Sequence, residues 1–275
     1  MKHLVLLLLA VFCLLTGCGA EVSAPSSEPS PTPAPAPTPT ATLPGNPYDS
    51  EAFRMGERYM AYDGGVCFVG VDVSAHQQDI DWQAVAAAGV DFAIIRVGYR
   101  GYTEGDIHED AYFRRNIEGA LAAGLEVGVY FFSQATDIWE AMAEATFVLN
   151  RIRDYEITYP VVFDWERQMK QGSRTLDTSG ETQTDCAVAF CRLIEQAGYL
   201  PMVYASPNKA YRELDLFRLT EWPFWLAHYT TDCSPSGYRY HYDMWQYTGQ
   251  GRVDGISTEV DLNLCLTDFS RWKAP

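Results

Sequence analysis

The amino-acid sequence predicts an α/β fold over residues 66–275, a single TIM-like barrel of irregular (β/α)5(β)3 type. The first observation behind this is a series of short, almost continuously apolar runs, the pattern of strands buried on both faces. They are FVGVDV (68–73), FAIIRV (92–97), VGVYFF (127–132), PVVFDW (160–165) and PMVYA (201–205). The second is helical spacing between the runs, as in Phe113, Ile117, Ala120 and Leu121, or Cys186, Phe190, Leu193, Ile194 and Ala197. The third is a repeated ending, AAGVDFAII, AAGLEVGVY and QAGYLPMVY, in which Gly89, Gly124 and Gly198 suit the left-handed residue that closes a helix before a strand. Such repeats imply parallel strands joined by right-handed crossovers. The 210 residues of this region fall within the size range of a closed eight-stranded barrel. After Tyr204 the rhythm changes, because FWLAHY (224–229), YDMWQY (242–247) and VDLNL (260–264) follow with little helix between them. Five regular βα units therefore precede three strands with irregular connections.

Upstream, residues 1–18 read MKHLVLLLLAVFCLLTGC, with a positive Lys2, an apolar stretch and then small residues, the layout of a secretory signal. Its apolar run, Leu4 to Leu15, is too short to cross a hydrocarbon core of about 30 Å, and a polytopic membrane protein is excluded. Leu15, Thr16, Gly17 and Cys18 resemble the lipobox of bacterial lipoproteins, which implies cleavage before Cys18 and its acylation. Two or more acyl chains there would give a stable anchor, the one membrane contact expected. Residues 19–47 hold nine of the chain's fifteen prolines among Ser, Thr and Ala, a composition that forms no core. An extended polyproline tether of these 29 residues would reach at most about 90 Å. Residues 48–65 read as a connecting segment.

Hydrophobic residues make up 47% and aromatics 13%, enough for a full core. The formal charge of −16 repels phosphate backbones, so nucleic acid is not an expected partner, and a monomer is expected. Of seven cysteines, Cys13 would leave with the signal and Cys18 would carry lipid. The remaining Cys67, Cys186, Cys191, Cys233 and Cys265 cannot all pair, and Cys186 and Cys191 lie on different faces of one helix. With no CxxC pair and no zinc-type spacing, mostly buried, unpaired thiols and no structural metal or cofactor are expected.

Chemistry in a parallel barrel sits at the C-terminal ends of the strands, so polar residues that end apolar runs are the candidates. Asp72 ends the first run, Asp164 and Glu166 end the fourth, and Asp261 lies in the last. Asp164 and Glu166, two apart, point to one side. Paired acids suit glycoside hydrolysis, in which a protonated carboxyl gives its proton to the leaving oxygen while an ionised one stabilises developing positive charge. Crowded carboxylates raise at least one pKa, which keeps an acid protonated near neutrality. The same pair could hold a divalent cation, but His76, His108, His228 and His241 show no ligand spacing. There is no GxSxG elbow and no P-loop. Tyr99, Tyr130, Tyr204, Trp225, Tyr229, Trp245 and Tyr247 cluster near the same expected rim, where flat faces with polar edges suit sugar rings; each could equally be core.

Eight motifs carry a resemblance to glycoside hydrolase family 25, the Chalaropsis-type lysozymes, from about Phe68 to Phe269. They are GVDVSAHQQDIDW (70–82), RVGY (96–99), NIEGALAAGLEVGVYFFS (116–133), VVFDWE (161–166), YASP (204–207), FWLAHY (224–229), WQYTG (245–249) and VDLN (260–263). The resemblance implies a barrel of five βα units with three further strands, and N-acetylmuramidase action on peptidoglycan glycan strands between N-acetylmuramic acid and N-acetylglucosamine. By motif, Glu166 corresponds to the general acid, and Asp164 to a carboxylate that either attacks the anomeric carbon or steadies the substrate's acetamido group. Asp72 and Asp261 match the family's auxiliary acids, and Tyr130, Tyr204, Trp225 and Trp245 match groove aromatics. His76 departs from the pattern where the family often has Trp. A glycosidase acting on another N-acetylated glycan such as chitin, or a wall-binding lipoprotein without activity, are the competing readings.

Overall fold

The computed structural model describes residues 42–272, so the signal, Cys18 and most of the proline-rich segment lie outside the described residues. The segment read as a connection folds into a small hairpin, β1 (Phe53–Met55) antiparallel to β2 (Met60–Tyr62). It packs on the barrel wall, where the Met60 N–H donates to the Tyr247 hydroxyl at 3.3 Å and the Tyr48 hydroxyl donates to the Tyr242 carbonyl at 2.6 Å. Residues 44–46, placed by composition in the tether, bridge to the same wall: Gly45 pairs with Tyr240, and the His241 N–H donates to the Pro44 carbonyl.

The barrel strands are β3 (Phe68–Val73), β4 (Phe92–Arg100), β6 (Glu126–Ser133), β7 (Val161–Trp165), β8 (Pro201–Ala205), β9 (Phe224–Ala227), β10 (Met244–Gly251) and β11 (Val260–Cys265), with β5 (Ile107–Glu109) added to the end of β4. Their order around the barrel is β3, β11, β10, β9, β8, β7, β6, β4, and β4 pairs back with β3. Helices α1 (Trp82–Ala87), α2 (Phe113–Ala122), α3 (Ile138–Ile152), α4 (Gly180–Gln196) and α5 (Pro207–Arg212) complete five βα units, as the sequence rhythm requires. Gly89, Gly124 and Gly198 close α1, α2 and α4 with φ of +89°, +79° and +87°, a conformation that a Cβ disfavours. Ala197, counted into the apolar stripe of α4, is instead its exposed C-cap. Cys186, Cys191 and Cys265 are buried free thiols.

One strand departs from the parallel pattern. β11 runs antiparallel to both β10 and β3, because the few residues from 252 to 259 turn the chain straight back, whereas a parallel return needs a crossover of about a dozen or more residues. The start of β11 therefore lies at the rim where the other strands end. Outside the wall, Val129, Phe131, Phe163 and Val203 pack against helix residues such as Phe113, Ile117, Val148 and Phe190. Inside, Phe92, Val162, Leu200, Met202, Met244 and Cys265 form a separate apolar plug. Among the described residues, no helix is long and apolar enough to cross a membrane.

Candidate active site

The four acids meet at one mouth of the barrel. Asp72 and Asp261 are direct partners in the β3–β11 register, so both side chains project from the same face. Asp164 is the penultimate residue of β7 and only 7% exposed, while Glu166, just past the strand end, is exposed at the rim. Phe132 and Tyr204 flank Asp164 in register on the neighbouring strands. Glu166 and Tyr204 border two adjoining depressions, one of about 240 Å³ with Trp165, Arg167, Lys209 and Glu213, the other of about 480 Å³ with Asn208, His228 and Tyr229. Together they make a trough open to solvent.

A polar network fixes the floor. Gln246 Nε2 and Asn263 Nδ2 each donate to Asp72 Oδ2 at 2.8 Å. Trp225 Nε1 donates to Asn263 Oδ1 at 2.9 Å, and the Tyr204 hydroxyl donates to Gln246 Oε1 at 2.9 Å, so both amides are held in one orientation. The Tyr229 hydroxyl lies 2.9 Å from Gln246 Oε1 and 3.0 Å from Asp261 Oδ1. One phenol proton is shared between these two acceptors. Gly249 permits this approach, since a Cβ there would sit 3.0 Å from Asp261 Oδ1.

Burial pushes all four acids upward. Asp72 rises well above the usual carboxylate range through burial and then the charge of Asp261, against its two amide hydrogen bonds. Asp164 does so through burial and the charge of Glu166, opposed by Lys209. Crowding by surrounding protein raises Glu166 although its side chain reaches solvent, and Lys209 again opposes the rise. Asp261 rises through burial, opposed by the Tyr229 hydrogen bond. Burial and mutual repulsion both disfavour full ionisation of the group, which favours a proton held within it. Asp164 Oδ1 is buried without a hydrogen-bond partner among the described residues.

The predicted aromatics divide. Tyr130, Tyr204 and Tyr229 reach the cleft; Tyr229 is 56% exposed, and burial keeps all three phenols protonated. Tyr99 stands on the β4 rim, with the Arg96 guanidinium 5.5 Å from its ring centre and its ring against His108. Trp225 is sealed inside the barrel beneath Tyr204, supporting the floor but not lining the groove. Trp245 and Tyr247 are corrections: they flank inward-facing Gln246 and so face out of the wall, buried toward the hairpin, with Trp245 5.7 Å from Phe53. Tyr247 borders a depression with Tyr229, Thr248 and Glu259. His76 is exposed in the turn Ala75–Gln77 that follows β3. Gln246, Asn263, Phe132 and Lys209 escaped the sequence reading; the first two had a signal, as lone polar residues inside apolar runs, and Lys209 had none.

An α/β barrel whose mouth crowds carboxyl groups under tyrosine edges defines a glycoside hydrolase. The profile described as glycosyl hydrolases family 25 matches residues 71–256, and the chain belongs to that family. It is 28% identical over 197 residues to the uncharacterized protein YegX of Escherichia coli K12, covering 71% of this chain and 68% of that one. It is 26% identical over 215 residues to Lysozyme M1 of Streptomyces globisporus, covering 70% and 66%. Among solved structures, the modular autolysin LytC of Streptococcus pneumoniae superposes with a TM-score of 0.64 at 24% identity over 75% of this chain. The match spans 48% of LytC, about half its length, and LytC has also been solved with a synthetic peptidoglycan ligand.

Proposed function

We propose that this chain is a peptidoglycan N-acetylmuramidase that cleaves the β-1,4 bond between N-acetylmuramic acid and N-acetylglucosamine. The observation that carries the reading is the pairing of a rim carboxyl, Glu166, with a buried carboxyl, Asp164, inside a cluster of four acids whose burial and crowding disfavour full ionisation. Glu166, protonated and accessible, gives its proton to the glycosidic oxygen as the bond breaks. Asp164, ionised in the reacting state, either attacks the anomeric carbon or accepts the acetamido N–H while that group attacks. Asp72 and Asp261 tune the pair's protonation, and Tyr130, Tyr204 and Tyr229 offer edges and faces to the sugar. Family membership and the likeness to Lysozyme M1 support peptidoglycan as the substrate.

The expected location is the bacterial cell surface, reached through the secretory signal, with acylated Cys18 as membrane anchor and the proline-rich segment as tether. A wall enzyme held on such a tether would act in remodelling the cell's own wall. Labelling of new reducing ends on purified peptidoglycan tests the activity. Muramic acid termini are expected; glucosamine termini would favour a chitinase-like specificity, and no new termini would favour a binding lipoprotein.

A further inference from the structure

Four carboxyls at one mouth need a counter-charge, and most of the nearby cations are committed elsewhere. Arg96 binds Asp110 through Nε and Nη2, both at 2.7 Å. Arg167 donates to Glu213 at 3.0 Å and to the carbonyls of Thr175, Leu176 and Thr178. Lys209 is placed differently. It lies in the first turn of α5, where its N–H donates to the Ser206 hydroxyl, and its stem runs inward from the end of β8. Its ammonium donates to the Trp165 carbonyl, the backbone oxygen between Asp164 and Glu166, and lies 4.7 Å from the centre of the Trp165 ring. It lines the same depression as Glu166.

Resting on the muramidase reading above, we propose that Lys209 is a positioning residue for the acid pair: its ammonium fixes the strand-end peptide carrying both carboxyls and keeps one of them ionised while the other holds the proton. The groups facing Lys209 are Asp164 from β7, Glu166 and Arg167 just beyond it, and Glu213 after α5. Those facing the pair from the other walls are Asp72, Asp261 and Arg96, with the phenols of Tyr130, Tyr204 and Tyr229 completing the set. Burial lowers the Lys209 ammonium to about 8, so its charge, and the support it gives the ionised partner, fades as pH rises through that value.

The test compares the parent chain, Lys209→Met and Lys209→Arg on purified peptidoglycan across pH. Loss of the cation should move the acid limb of kcat/KM upward by about half a unit or more and lower kcat about tenfold, with KM within about twofold. Lys209→Arg should restore the acid limb and, because guanidinium does not titrate here, remove the decline near pH 8. An acid limb in Lys209→Met that superposes on the parent's overturns the proposal, even if kcat falls. Should the Met variant fail to fold, Lys209→Gln takes its place: an acid limb shifted upward supports the assignment, and one that superposes on the parent's overturns it. A parent chain that releases no muramic termini would instead refute the activity itself, a separate outcome.

Discussion

The two ends of the barrel interior are built on opposite principles. At the strand starts, Phe92, Leu200, Met202, Met244 and Cys265 fill the space with apolar atoms, and Phe92 stacks on Tyr159 with ring centres 4.7 Å apart. At the strand ends, Asp72, Asp164, Gln246 and Asn263 are buried as polar groups, bound into a network that still leaves Asp164 Oδ1 unpartnered. The closed end contributes stability through packing and transfer of apolar surface. The open end gives some of that up, because desolvated like charges oppose folding. The difference teaches that the strained acids are tolerated because the other end of the same strands holds the barrel closed.

The sharpest way to break this contrast is Glu166→Gln, which keeps the shape but removes the transferable proton. Turnover of peptidoglycan should fall about 10²–10⁴-fold, with circular dichroism and thermal unfolding retaining the native fold. Equal turnover in variant and parent would remove Glu166 as the acid. At the other end, Phe92→Ala should cost about 3–5 kcal/mol in denaturant unfolding while kcat of the folded fraction stays within about twofold. A large drop in kcat without loss of stability would show that the two ends are not separable.

The smallest effect concerns Asp72→Asn, whose carbonyl can still accept both amide hydrogen bonds. The native pKa of Asp72 lies above its unfolded value, so its contribution to stability is fully present below about pH 4 and is lost as pH rises through the native pKa. The variant should therefore melt about 2–4 °C higher than the parent at pH 7, and no higher at pH 4. A gain that is the same at both pH values would mean that charge is not the cause.

Much of the barrel was legible because a strand buried on both faces is apolar throughout and a helix closing before it needs a left-handed glycine. The acids were legible because two carboxyls on one side at the end of an apolar run, as in VVFDWE, repel each other and are hard to explain as structural, whereas a lone strand-end Asp is more often a cap or an ion-pair partner. The same continuity hides phase: in YDMWQY both faces are apolar, so nothing local assigns Trp245 and Tyr247 to the outer wall except the single polar Gln246 between them. Lys209 was hidden for a different reason, since a lysine in a short helix ordinarily faces water, and only the crossover from β8 turns this one toward β7.

The sequence by itself determined the strand and helix rhythm, the glycine stops and the identity of the four acids, because those follow from local sterics and periodicity. Tertiary structure decided the reversal of β11 that carries Asp261 to the mouth, the side of the wall each aromatic occupies, and the cation beside the acid pair. These depend on which distant segments share a barrel wall, and closure of the sheet settles that through contacts between residues far apart in the chain.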